Sequence, residues 1–146
     1  LGNVELLRRS FGGLILLKFM TTDLIQHTEQ IRNLNDRFRK LGDLALGQIV
    51  LTSGVQALVG DNDPLVSDRI ANLNFRELMG IIASFDSFDE ANDPHGEHDF
   101  FSFDYKGKKL FMKIDYYDTN LEYGSPNPAD PVQTKRVMTI MLSEEY

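Results

Sequence analysis

The run Asn92-Asp93-Pro94-His95-Gly96-Glu97-His98-Asp99 places two imidazoles beside three carboxylates. Histidine is the side chain whose ordinary titration falls near neutrality, so this stretch offers proton transfer or metal ligation. As metal ligands, His95 and His98 have the wrong spacing for the helical HExxH motif, and Pro94 and Gly96 oppose a helix there. On an extended chain, residues three apart point to opposite faces, so both rings reach one ion only if the loop curls. No metal is therefore expected. A partner for His98 would make either an ion pair that pins the loop or an acid–base pair.

The partner follows from a hairpin. His98–Tyr105 and Lys108–Tyr117 are aromatic, alternating runs separated only by Lys106-Gly107, a pair suited to a two-residue turn. In that register Phe103 faces Leu110 and Phe101 faces Met112, an apolar face. On the other face Asp104 meets Lys109, Phe100 meets Lys113 and His98 meets Asp115, with Tyr117 two residues further on. Cross-strand partners have Cβ atoms about 4.5–5.5 Å apart, close enough for Asp115 to favour the imidazolium. His98, Lys113, Asp115 and Tyr117 are expected to converge at the end of the hairpin where the acidic loop arrives. A one-residue bulge would undo this by swapping the faces.

Other elements must hold that hairpin. Thr22 is expected to cap a helix ending near Leu41, with Leu24, Ile31, Leu34, Phe38 and Leu41 on one stripe and Gly42 closing it. Gln48–Thr52 reads as a strand. Asp63-Pro64 reads as a cap and first helical residue, and Asn74 as the cap of a helix over Phe75–Phe85. Arg136–Leu142 reads as a further strand. The expected fold is α+β: an antiparallel sheet of about four strands with two to three helices packed mainly on one face. Residues 20–146 are expected to form this single domain, with 1–19 as an N-terminal appendage. That segment has Arg8-Arg9 before Leu14-Ile15-Leu16-Leu17, but Lys18 ends the run well short of the ~20 residues of a membrane span. No membrane association is expected, and the location is expected to be cytoplasmic.

The 146 residues suffice for one domain with its own core, and 42% hydrophobic against 25% charged residues argues against a disordered chain. Without cysteine there is no disulfide scaffold, thiolate metal site or thiol nucleophile. Net charge is -7, which argues against nucleic acid. The charge is uneven. Residues 1–60 hold seven Lys/Arg against five Asp/Glu, whereas residues 61–146 hold eight against seventeen. Asp86–Asp104 and Asp115–Asp130 contain no Lys or Arg. These two stretches read as solvated loops or as a surface aimed at a cationic partner. The second contains Asp118, Tyr123, Ser125 and Asp130, with Pro126, Pro128 and Pro131 stiffening it into a plausible binding rim.

Ser125 is expected to be a turn residue, since no G-x-S-x-G elbow surrounds it and no histidine follows it. Asp130-Pro131 reads as the start of a single turn. Neither a P-loop nor GxGxxG is present, so no nucleotide cofactor is expected. Lys108, Lys109, Lys113, Lys135 and Arg136 are candidates for a small basic patch on the sheet, or for balancing nearby acids.

Four segments carry a family resemblance: Asn92–Phe100, Lys113–Asp118, Tyr123–Pro131 and Arg136–Leu142. Together, from about Ile31 to Tyr146, the chain resembles the bacterial domain-of-unknown-function family DUF3768. The resemblance implies a small bacterial protein, often found with plasmid or phage genes, without an established activity. It supplies no catalytic residue.

The expected function is a non-enzymatic binding protein, holding a protein or small polar ligand at Asp93, His95, Glu97, His98, Asp99, Lys113, Asp115, Tyr117, Asp118, Tyr123, Ser125 and Asp130. In a mobile-element setting it would act in counter-defence, occupying a host protein or sequestering a small molecule. The alternatives are a hydrolase-like enzyme using His98 with Asp115, and an oligomer-forming module with Leu14–Phe19 as the contact.

Overall fold

The computed structural model describes residues 2–60 and 64–146, with side chains from residue 13 onward. The elements are α1 (Gly2–Leu41), β1 (Gly47–Leu51), α2 (Ser53–Val59), α3 (Asp68–Ser84), β2 (Phe100–Tyr105), β3 (Lys108–Tyr117), β4 (Lys135–Leu142) and a final 3-10 turn, Ser143–Glu145. The four strands form one sheet in the order β1-β4-β3-β2. β2–β3 and β3–β4 are antiparallel, as expected, but β1 runs parallel to β4, so the sheet is mixed. The fold is α+β.

The hairpin register is as the alternation requires. Phe101 faces Met112, Phe103 faces Leu110 and Asp104 faces Lys109. Lys106 and Gly107 have φ of 49° and 74°, the two positive values that a type I′ turn needs to match the twist of its strands. Phe101, Phe103, Leu110, Met112, Ile114, Met138 and Ile140 make the inner face of the sheet and pack against Phe38, Val55, Val59, Leu78 and Ile82 from the helices. On the outer face Tyr146 lies against Phe100 and Phe111, with ring centroids 6.2 and 5.7 Å apart.

Three helix expectations are corrected. Thr22 does not begin α1, which runs through it; its hydroxyl donates to the Lys18 carbonyl one turn back, at 2.9 Å. The buried stripe is Ile31, Asn35 and Phe38, whereas Leu24 and Leu41 are exposed. Asn74 does not cap a helix. α3 begins at Asp68 behind Ser67, whose side chain accepts from Ile70 N. Asn74 sits inside α3 and donates to the Val59 carbonyl at 3.0 Å, tying α3 to the end of α2. The expected helix start at Asp63 lies outside the described residues. α2, seven residues ended by Gly60 at φ 81°, is an element that periodicity was too short to announce.

Candidate functional site

The ladder between β2 and β3 continues one residue past the strand, because Ile114 N donates to the Asp99 carbonyl at 2.8 Å. It then stops. His98 takes φ 55°, and a left-handed residue ends the alternation that would have kept its ring on the outer face. The expected His98–Asp115 pair is therefore not made. Asp115 instead holds Lys113 at 2.9 Å on the outer face of the sheet. His98 turns toward α1, where Nδ1 lies 2.9 and 3.1 Å from the two Asp36 carboxylate oxygens. Its Nε2 is 3.8 Å from Asp93, and its ring stacks on Phe88 with centroids 3.7 Å apart.

Asp93 fixes the loop that delivers His98. It is 8% exposed, and its carboxylate accepts from the backbone N–H of Glu97 at 3.1 Å and of His98 at 3.2 Å. Gly96 supplies the positive φ of 68° at which this turn closes. Arg39 approaches Asp36 from the other side, with Nε at 2.9 Å and Nη2 at 2.8 Å. Its Nη1 donates to the carbonyls of Ile82 at 2.9 Å and Phe85 at 2.8 Å, capping the end of α3. Burial alone would raise the Asp36 carboxyl. The His98 hydrogen bond and the Arg39 guanidinium outweigh it and hold Asp36 below the ordinary carboxylate value.

A second network adjoins the first. Asn35, fully buried, donates from Nδ2 to the Glu97 carbonyl at 2.9 Å and to the Tyr116 hydroxyl oxygen at 2.7 Å. Tyr116 donates to the Glu97 carboxylate at 2.8 Å, and Arg136 Nε donates to Asn35 Oδ1 at 2.7 Å. Burial, and then the Glu97 carboxylate, push the Tyr116 phenol far above its ordinary value, so it acts as a neutral donor. Burial and the neighbouring Glu97 and Asp93 also raise the Asp99 carboxyl. Arg136 is fully buried on the inner face, donating from Nη2 to the Pro128 carbonyl at 2.8 Å, so it is not part of a surface patch with the four candidate lysines.

The twelve expected site residues thus divide. Asp93, Glu97 and His98 share the clasp between α1 and the acidic loop, and Asp99 follows them at the end of the β2–β3 ladder. His95 belongs to the same loop but is exposed. Lys113 and Asp115 form an ion pair on the outer face of β3, which Tyr117 continues. Asp118, Tyr123, Ser125 and Asp130 lie in the β3–β4 connection. There Asp118 accepts from Asn120 N and Glu122 N, and Tyr123 is exposed. Ser125 is the expected turn residue: it accepts from Asn127 N at 3.2 Å, and its Oγ lies 2.7 Å from the Thr134 hydroxyl. Asp130 accepts from Gln133 and from Val132 N, and those bonds lower its pKa. Among the described residues no group of three or more His, Asp or Glu is placed to hold a metal ion.

Sequence reasoning missed Asn35, Asp36, Arg39 and Tyr116, and took Arg136 only as a candidate for a basic patch or for balancing acids. Two signals pointed to Asn35 and to a buried Arg136. Asn35 interrupts an apolar stripe between Ile31 and Phe38, and Arg136 shares strand parity with Met138 and Ile140.

The DUF3768 family model, a protein of unknown function, matches residues 51–145. The chain belongs to this family. No curated protein and no solved structure matches it. The DUF3768 match includes the acidic loop, Tyr116 and Arg136, whereas Asn35, Asp36 and Arg39 lie before it, as does the stretch from about Ile31 that the resemblance also took in. Among the described residues no helix is long and apolar enough to cross a membrane.

Proposed function

We propose that this chain is a non-enzymatic binding protein whose partner is another protein. The observation that carries the reading is that the clasp is closed on itself. Asp36, Arg39, Asp93, Glu97, His98 and Tyr116 direct their hydrogen bonds at one another and at backbone, so the acid–base groups lock helix to loop. What stays uncovered is apolar: Leu14, Leu17 and Leu24 of α1 are 63%, 64% and 67% exposed. Contiguous exposed apolar surface supports a contact with protein. The exposed acids Asp86, Asp89 and Glu90 favour a cationic face on that partner. In the mobile-element setting implied by the family resemblance, the partner would be a host defence protein held in the cytoplasm.

The test compares the chain with two variants, one carrying Leu14→Lys, Leu17→Lys and Leu24→Lys, the other His98→Ala. The leucine variant is expected to lose a partner captured from bacterial lysate, and His98→Ala to keep it. The reverse pattern, or turnover of any captured small molecule that vanishes with His98, would sink the reading. Self-association is a second reading, because the exposed Leu14, Leu17, Thr21 and Leu24 and the half-buried Thr28 keep an alternating spacing of three and four, the seam of a coiled coil, before the same stripe turns into the core at Ile31. A doubled mass by light scattering that the leucine variant abolishes would make the partner a second copy.

A further inference from the structure

β1 is an edge strand, bonded only to β4. Arg136 N donates to the Leu46 carbonyl at 2.9 Å, and Thr52 N donates to the Ile140 carbonyl at 3.1 Å. With the register Gly47↔Arg136 through Leu51↔Ile140, this turns the peptide groups of Gln48 and Val50 toward β4. The amides of Gly47, Ile49 and Leu51 face the free edge. Of the carbonyls on that side, Leu51 accepts from Gln56 Nε2 at 3.1 Å, which leaves those of Gly47 and Ile49 open to an incoming strand.

This free edge borders a groove walled by α3. The groove has two hollows that share Ile49 and Phe75. One, of about 730 Å³, lies by Gly47, Leu44 and Met79; the other, of about 350 Å³, lies by Leu51, Asn72 and Gln56. Along β1 they are centred two residues apart. That is the repeat at which a strand places side chains on one face, roughly 6.6 Å. An added strand beside β1 would pair its backbone with the free amides and drop alternate side chains into the two hollows.

We propose that this groove binds an extended peptide segment of another protein by strand addition to β1, with a large apolar side chain in the wider hollow and a medium one two residues away. The exposed Lys40 at the rim of the wider hollow favours an acidic residue next to the large one. A second copy of this chain fits less well. Its own β1 would arrive with Ile49 and Leu51 already packed on its own core, and its other edge strand, β2, has Phe101, Phe103 and Tyr105 buried in the same way. On their other faces β1 offers Gln48 and Val50, and β2 offers Phe100, Ser102 and Asp104, so neither has a pair of free apolar side chains two residues apart for the hollows. The proposal goes beyond the binding reading above, adding a site in this groove that is separate from the α1 leucines.

The test pans a phage-displayed library of random dodecamers on the full chain, then titrates the best synthetic peptide by fluorescence anisotropy. Enriched peptides are expected to share two apolar residues spaced two apart with an acid beside one. Gly80 lines the wider hollow, and a Cβ added there meets nothing within 4 Å, so Gly80→Phe, checked for an unchanged thermal midpoint, is the variant that places a ring at the hollow. It is expected to weaken binding at least about tenfold, as is Ile49→Pro, which removes a free-edge amide but no ladder bond. Leu17→Lys on α1 is expected to bind normally, so failure at the groove is distinguishable from failure of the α1 contact. By hydrogen exchange, the Ile49 amide is expected to be fast in the free protein and slowed by the peptide. No enrichment, enriched peptides without the alternation, binding indifferent to Gly80→Phe, or a dimer that Gly80→Phe dissociates would each overturn the proposal.

Discussion

Asp36 is the residue on which the clasp turns. It accepts from His98 on one side and Arg39 on the other, and both favour its ionised form. Its folded-state pKa is lowered below the ordinary carboxylate value, so the folded protein binds that proton less readily than the unfolded chain. Its contribution is complete above about pH 4 and is lost as the pH falls through the lowered value. Urea midpoints taken across the acid range are expected to fall more steeply below that pH in the native chain than in Asp36→Asn, which should already be weaker at neutrality by roughly 1–3 kcal/mol. A parallel fall in both would show that Asp36 is unpaired in solution. Asp99 is the opposite case. Burial and neighbouring acids raise its pKa, so its charge is a burden at neutral pH and protonation on acidification relieves it. Asp99→Asn is expected to stabilise the protein at pH 7 and to lose that advantage as the pH drops; a variant weaker than the native chain at pH 7 would contradict the assignment.

The hairpin is the element most fully written in the chain. Two adjacent positive-φ residues and an alternating apolar pattern leave one register, and Lys106-Gly107 supplies the turn. Gly107→Ala is expected to lower stability by about 1 kcal/mol, read from the denaturation midpoint, because an alanine at φ 74° is strained. α3 was less legible. Asn74 has the chemistry of a cap, but in the structure that amide serves α2, and the true cap is Ser67. α1 shows a different limit. Thr22 and the polar groups around it look like a start, yet without a proline nothing breaks the helix there, and the hydroxyl is satisfied inside the same helix.

At the scale of the whole molecule, the domain divides into a packed body and a projecting helix. Residues 13–27 of α1 are exposed, and the core draws on α1 only from Ile31 onward. A chain beginning at Gln26 is therefore expected to keep its cooperative thermal unfolding within a few degrees of the native midpoint. A collapse of the transition would show that the projecting turns support the body. The net charge of -7 is likewise not spread evenly. Several acids of the Asp86–Asp104 run are consumed inside the clasp, as Asp93 and Glu97 are, while Asp86, Asp89, Glu90 and Asp104 face solvent.

The α+β class, the hairpin, its register and the turn role of Ser125 were legible in the chain, since each depends on residues close together in it. Pairing across a two-residue turn follows from periodicity, and the partners need no long-range information. Only the tertiary structure decided what His98 touches. Asp36 is 62 residues away on a helix whose docking angle no local pattern encodes, and a single left-handed residue between loop and strand moved the ring from Asp115's face to that helix. The parallel pairing of β1 with β4, and the free edge it leaves, belong to the same class. They follow from how the helices between those strands return the chain to the sheet, a long-range packing outcome rather than a local preference.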